Sequence, residues 1–376
     1  MSCSMMGLIK NELIKIYHKK KLFICIIILI VTALWTLGGA TNRIDEKMKS
    51  LEDTKASVSM NESARDEIIK RTEKSIDEYK RAKEYSDEEL QDFYKEYIDN
   101  MKQENEENNA EFINCNVNFI KYLIDNNLRP TTEIDLNSNE IMKRGIKIFS
   151  LVAIFIVVLI TSDMISSEYT KGTLKVLITR PFLRRKVIVS KFMASTIICS
   201  GIILFFELFV YGVGVIMKGY TSLSYPEKIY PAFESSDTLN VQFNSYIQPI
   251  LNTSDIIPEW QLFLKCLILQ ILFIACLVSI SILFSSLMKS GAMVVMVNVF
   301  LAFVSIGITM YDTIKIFSYF SPYNYYDSIG VVNRECIMMT SACYVSFVES
   351  IIVLLLFITA NIFISCKLIN RKDVYI

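Results

Sequence analysis

The chain has 376 residues but only one histidine, His18, and no Gly-Lys dipeptide. Without Gly-Lys there is no G-x-x-x-x-G-K-[ST] loop whose backbone amides could cradle a nucleotide's phosphates. H-E-x-x-H and G-x-S-x-G are missing as well, which removes the usual zinc-peptidase and esterase arrangements. A Ser-His-Asp set could use only His18, which stands at the edge of a long apolar run. The nine cysteines have neither metal-ligand nor disulfide-framework spacing. The expectation is a chain that is not an enzyme, with no catalytic residues, no cofactor and no metal.

Chemistry of another kind is offered at two places. Residues 166 to 186 read SSEYTKGTLKVLITRPFLRRK, with one acid, a Gly-Thr, an Arg-Pro and several bases. Glu168 can pair with a base of its own segment or of a partner. Gly172 tolerates positive φ and so permits a sharp turn. Thr173 can cap a short helix by accepting a backbone N–H. Leu174, Val176, Leu177 and Ile178 would give that helix an apolar surface. Arg180-Pro181 would stop it, since the residue before proline disfavours the α region. Arg184, Arg185 and Lys186 suit an anionic lipid surface, at about 1 kcal/mol per base. The second place is Glu207, inside the apolar run LFFELFVYG. A mid-bilayer acid costs at least about 2.5–3.5 kcal/mol, so it must face protein or water. Glu207 either lines a translocation path or bonds helices together.

These residues need elements to hold them. The chain is 52% hydrophobic, with 39 basic and 39 acidic residues, so net charge says little about partners and gives no sign of nucleic-acid binding. The distribution says more. Leu22 to Ala40 carries no charge over 19 residues. A bilayer core of about 30 Å needs roughly 20 apolar helical residues. Further runs cover about 146–165, 192–217, 262–287, 292–310 and 345–366. Lipid offers backbone groups no partner, so each run should be a helix. The expected fold class is an all-α membrane protein with six transmembrane helices.

Short basic clusters orient such a chain. Lys10, Lys15 and Lys19 to Lys21 precede the first span, and seven bases from Lys171 to Lys191 fall between spans two and three. Lys289 separates spans four and five, and Lys367, Arg371 and Lys372 follow span six. All fall on one side of a six-span arrangement. That side is expected to be the cytoplasm, with both termini inside.

Residues 1–21 are expected to be a cytoplasmic interfacial helix, with Met6, Ile9, Leu13 and Tyr17 on one face. A straight extension of the first span, residues 22–40, fits the pattern equally. Residues 41–145 should form an extracytoplasmic helical domain. Ser86 and Glu89 make a capping box there, and Phe112, Val117, Ile120 and Leu123 recur at helical spacing in a third helix. Its aromatic stripe would be the core of its own helical hairpins. Residues 146–376 hold spans two to six, with the loop 166–191 and external stretches 218–260 and 311–344. Four prolines, Pro226, Pro231, Pro249 and Pro258, predict an irregular 218–260 loop. The aromatic run FSYFSPYNYYDSIG is expected to form short re-entrant helices.

The 166–191 loop resembles the connection between spans two and three of the type 2 ABC transporter permease family. In that family span two runs into E-x-x-x-G-T-L, then [ST]-R-P, then a basic cluster. Here Glu168, Gly172, Thr173 and Leu174 match the first motif, Thr179, Arg180 and Pro181 the second, and Arg184, Arg185 and Lys191 the third. Ser321-Pro322 and the tail INRKDVYI are similar too. The likeness covers the membrane part and leaves out residues 41–145. It implies six spans, a second permease copy or paralogue as partner, and a separate ABC ATPase docking on the loop through Glu168, Gly172, Thr173, Leu174, Arg180, Pro181 and Arg184. Relatives with a sizeable external domain after span one include exporters of antimicrobial peptides, lantibiotics and bacitracin-type antibiotics, and of sodium. The reading is efflux of a drug or peptide across a bacterial plasma membrane. The alternative is a membrane-anchored sensor whose external helices recognise a ligand.

Overall fold

The structure is a computed structural model. It describes residues 5–39, 110–126, 137–166, 184–240, 245–288, 290–308, 320–335 and 346–371, with residues 49, 52, 70, 73, 86, 89, 92, 95, 98, 99, 128 and 129 between them. The chain divides into two units. One contains Met1–Thr32, Ile146–Glu207 and Phe263–Ile376, and the other contains Ala33–Gly145 and Leu208–Leu262.

The first unit is helical. It opens with α1 (Met5–Tyr17) and α2 (Lys20–Gly38), separated by a turn at His18 and Lys19. The break decides between the two expectations for the N-terminus: α1 is a separate helix. Its buried residues are Glu12 and Ile16, while Met6 and Tyr17 are exposed. Of the apolar face read from the sequence, Met6 and Tyr17 are exposed and Ile9 and Leu13 half-buried, so part of it is available to a lipid surface. Then come α4 (Ser138–Thr161), α5 (Arg184–Lys218), α6 (Glu259–Leu287), α7 (Gly291–Ile308) and α9 (Phe347–Arg371); one end of each of α2, α4, α5 and α6 is counted in the second unit. Among the described residues, α2, α4, α5, α6 and α9 are long and apolar enough to cross a membrane, and α7 is a shorter apolar helix. The six-span expectation thus meets five such helices.

Several of these helices start earlier than the apolar runs suggest. Asn137 accepts the Glu140 N–H through Oδ1, so α4 begins at Ser138. Arg184 to Lys191, expected in a loop, form the first two turns of α5. Lys and Arg are good helix formers, and nothing after Pro181 interrupts them. A 3₁₀ turn at Pro322–Tyr326 and a short α8 (Ser328–Asn333), capped by Asp327, occupy part of the aromatic stretch. Residues 311–319 and 336–344 of that stretch lie outside the described set.

The second unit corrects one expectation. Loop 218–260 is not irregular. It contains β1 (Pro226–Ile229), β2 (Phe233–Asn240), β3 (Ser245–Pro249) and β4 (Asp255–Pro258). The β2–β3 pair nests inside the β1–β4 pair, both antiparallel. Pro226 faces Pro258, and Phe233 faces Pro249, at the ends of the registers. Proline is tolerated at strand ends and edges, where no ladder N–H is needed. These prolines therefore delimit a ribbon, and the all-α expectation has its exception here. The third helix read from the sequence is α3 (Ala110–Asp125), with Cys115, Val117, Ile120 and Leu123 buried, and the other helices expected to form hairpins with it lie mostly outside the described residues. Among the described residues, α3 packs on β1 and β4. The Cys115 thiol donates to the Ile229 carbonyl at 3.7 Å. Lys228 donates to Asn116 Oδ1 at 2.8 Å and lies 4.5 Å from the centre of the Phe119 ring. The Ser86–Glu89 capping box is present, with Ser86 N–H donating to Glu89 at 2.9 Å and Glu89 N–H donating to Ser86 Oγ at 3.4 Å.

Candidate functional site

The site assembles where α4 ends. Thr161 turns its hydroxyl back on the Val157 carbonyl, and the chain turns through Ser162 to Ser166. Ser285, near the end of α6, holds that turn. Its Oγ accepts the N–H groups of Ile165 and Ser166 and donates to the Ser162 carbonyl, each at 3.1 Å. Buried backbone groups leaving a helix thus find a side-chain partner instead of water, as burial requires. Asp163 projects from the same turn. Lys19 meets its Oδ1 at 2.8 Å and Lys21 its Oδ2 at 3.4 Å, and Lys21 also donates to Ser162 Oγ. The turn between α1 and α2 is thereby fixed to the end of α4.

A second contact joins α1 to α5. Lys191 Nζ lies 3.0 Å from Glu12 Oε2, and Lys15 Nζ lies 2.7 Å from Oε1. The Lys191 and Glu12 side chains are only 3% and 8% exposed, so neither charge has water as an alternative partner. Burial works against the charge on Glu12, but the Lys191 and Lys15 ammonium groups outweigh it and hold the carboxyl below its usual range. Burial likewise disfavours charge on Asp163, and Lys19 followed by Lys21 holds its carboxyl low. Ser195, one turn on from Lys191, donates to the Lys191 carbonyl at 2.7 Å and lies 2.8 Å from Met164 Sδ.

Asp163 stands just before the segment 167–183 and Lys191 just after it. Glu168, Gly172, Thr173, Leu174, Arg180 and Pro181 lie outside the described residues, and Arg184 opens α5. The structure therefore builds the flanks of the motif. Glu12 and Asp163 escaped the sequence reading. A signal existed for the first, because Glu12 is the only acid among the first 40 residues.

Glu207 is buried within the first unit. Gln270 Nε2, from α6, donates to its Oε1 at 2.5 Å and to Ser150 Oγ of α4 at 2.9 Å. One polar triad thus links α4, α5 and α6, and the acid faces protein as the cost of exposing it to lipid requires. Asn361 Nδ2 donates to Ser279 across α9 and α6 at 3.1 Å, and Asn298 Oδ1 accepts from Ser281 at 3.4 Å. Both are helix-packing bonds. Glu349 forms a capping box with Ser346 at the start of α9, a signal overlooked in the sequence.

In the second unit, carboxylate oxygens of Glu140, Glu227 and Glu259 lie within 4.8 Å of one another. Lys143 forms ion pairs with all three, at 2.8 Å to Glu227 and 3.1 Å to Glu259. Asn139 donates to Glu259 as well. An ammonium with three donors already serves these three acceptors, so the cluster is complete as an ion-pair network.

Long apolar helices, with their few polar side chains bonded to one another in the first unit, define a multi-pass membrane protein. Residues 6–374 match the family described as ABC-2 family transporter protein, and the chain belongs to that family, the type 2 ABC permeases. It is the membrane subunit of an ABC transporter, whose partners are an ABC ATPase and the lipid membrane. A search of curated proteins gave no match.

Proposed function

We propose that this chain is the permease of a bacterial exporter that moves a drug or an antimicrobial peptide out of the cell. A separate ATPase docks on the 166–191 loop, and the chain itself hydrolyses no ATP. Both termini and this loop face the cytoplasm, and residues 41–145 and the 218–260 ribbon face outward. A second copy or a paralogue completes the pathway. The observation that carries this reading is the bonding on both sides of the loop. Asp163 before it and Lys191 at its end are held by ion pairs, and a push on the loop would reach α4 and α5 directly. A mere topology signal needs bases alone. It does not need Glu168 with Gly172-Thr173, nor anchored flanks. Glu207 is assigned to the translocation path, at the point where α4, α5 and α6 share hydrogen bonds.

The test is co-purification. Full-length chain extracted with lipid should bring down an ABC ATPase. Glu168→Ala and Gly172→Val should leave membrane insertion intact and weaken that capture. Capture at the wild-type level by both variants would reduce the loop to a topology signal.

A further inference from the structure

Helix α1 touches both flanks of the loop through charge. Its Glu12 is paired with Lys191 of α5, and Lys19, in the turn that follows α1, is paired with Asp163 at the end of α4. The two contacts differ in character. Glu12 and Lys191 are buried side chains paired at 3.0 Å, so breaking the pair would cost more than breaking an exposed one. Asp163 and Lys19 are about one-quarter exposed, and Lys21 supports them. A helix that only lay on lipid would need no buried acid. Glu12 is also the sole acid in α1, and it points at the one buried lysine of α5's first turns, because Arg185 and Lys186 are exposed.

We propose that α1 is a strut across the base of the loop, with Glu12 and Asp163 as its positioning residues. Held at Glu12 within the helix and at Lys19 in the turn that follows it, α1 ties the end of α4 to the start of α5. The two ends of the segment between them are then fixed before the ATPase arrives, and force on it moves α4 and α5 instead of spreading them. Pre-organisation of this kind appears as affinity, because the ordering cost is met before the partner arrives. The proposal rests on the loop being the ATPase's docking element.

The experiment uses the full chain in nanodiscs of phosphatidylethanolamine and phosphatidylglycerol, with the purified ATPase subunit added. A spin label at Tyr17→Cys, an exposed position, reports whether α1 is held. Glu12→Gln should mobilise the label and raise the Kd for the ATPase about tenfold, within the usual range of coupling between sites. The swap of Glu12→Lys with Lys191→Glu should restore both. Asp163→Asn, at the more exposed contact, should mobilise the label and weaken binding in the same direction, so the proposal stays testable if Glu12→Gln does not assemble. A mobilised label with the Kd within about twofold of wild type would overturn the strut. So would a label that stays immobile in both single variants. If wild-type chain binds no ATPase, the docking reading fails instead, a result distinct from a strut that fails while wild type binds.

Discussion

Glu12 holds its charge in a place where burial opposes it, because Lys191 and Lys15 lie within ion-pair distance. Asp163 does so with Lys19 and Lys21. A carboxyl whose pKa is lowered by folding adds stability above its unfolded value and loses it as pH falls through the folded one. The ordinary values are 4.5 for Glu12 and 3.8 for Asp163, and both are shifted down. The attachment of α1 should therefore be constant from about pH 8 to about pH 5 and fail only in stronger acid. Mobility of the Tyr17 label against pH checks this, and a release between pH 7 and 6 would contradict it. Glu207 allows a different prediction. Glu207→Gln keeps an acceptor for Gln270, so assembly should be unchanged and stability should shift by less than about 1 kcal/mol. The proposed place of Glu207 in the path requires that the variant still alter the pH dependence of transport. A variant that assembles and transports like wild type at every pH would leave Glu207 as a packing group.

At the scale of elements, the turn after α4 depends on one hydroxyl. Ser285 serves two N–H groups and one carbonyl. Ser285→Ala would strand buried backbone donors, at a cost of about 1–3 kcal/mol for each one left unpaired. The expected result is a lower melting temperature together with weaker ATPase capture, since the turn leads into the loop. Unchanged capture by a destabilised variant would separate this turn from docking. The start of α9 offers a control. Ser346→Ala removes a cap worth about 1 kcal/mol and should leave capture untouched. Which of these features the sequence displays follows from their range. Helical runs and the Ser86–Glu89 box depend on near neighbours alone, and they are legible. The ribbon is not, because Pro226 opposite Pro258 looks like two breakers until the strands pair. The Glu12–Lys191 pair spans 179 positions, and no local period reports a contact of that separation.

At the scale of the molecule, the outer faces of the helices suit lipid. Phe23, Ile27, Val31, Leu34 and Trp35 of α2 are exposed, as are Met296, Phe300 and Phe303 of α7. The proposed orientation, with both termini in the cytoplasm, rests on the bases beside the spans, such as Lys19 to Lys21 around the start of α2. Cys115, in the domain proposed to lie outside, is buried against β1 and should resist labelling from either side. Asp125→Cys is exposed at the end of α3 and should react with an impermeant maleimide in intact cells. Reaction only after permeabilisation would invert the topology. The central claim is that the 166–191 loop is where an ATPase drives this permease. A photo-crosslinking amino acid at Leu174, on the apolar side of the motif, tests it most directly. In native membranes it should yield one product with a nucleotide-binding subunit, lost in Gly172→Val. A chain that co-purifies its ATPase yet crosslinks at Leu174 only to lipid would contradict the claim.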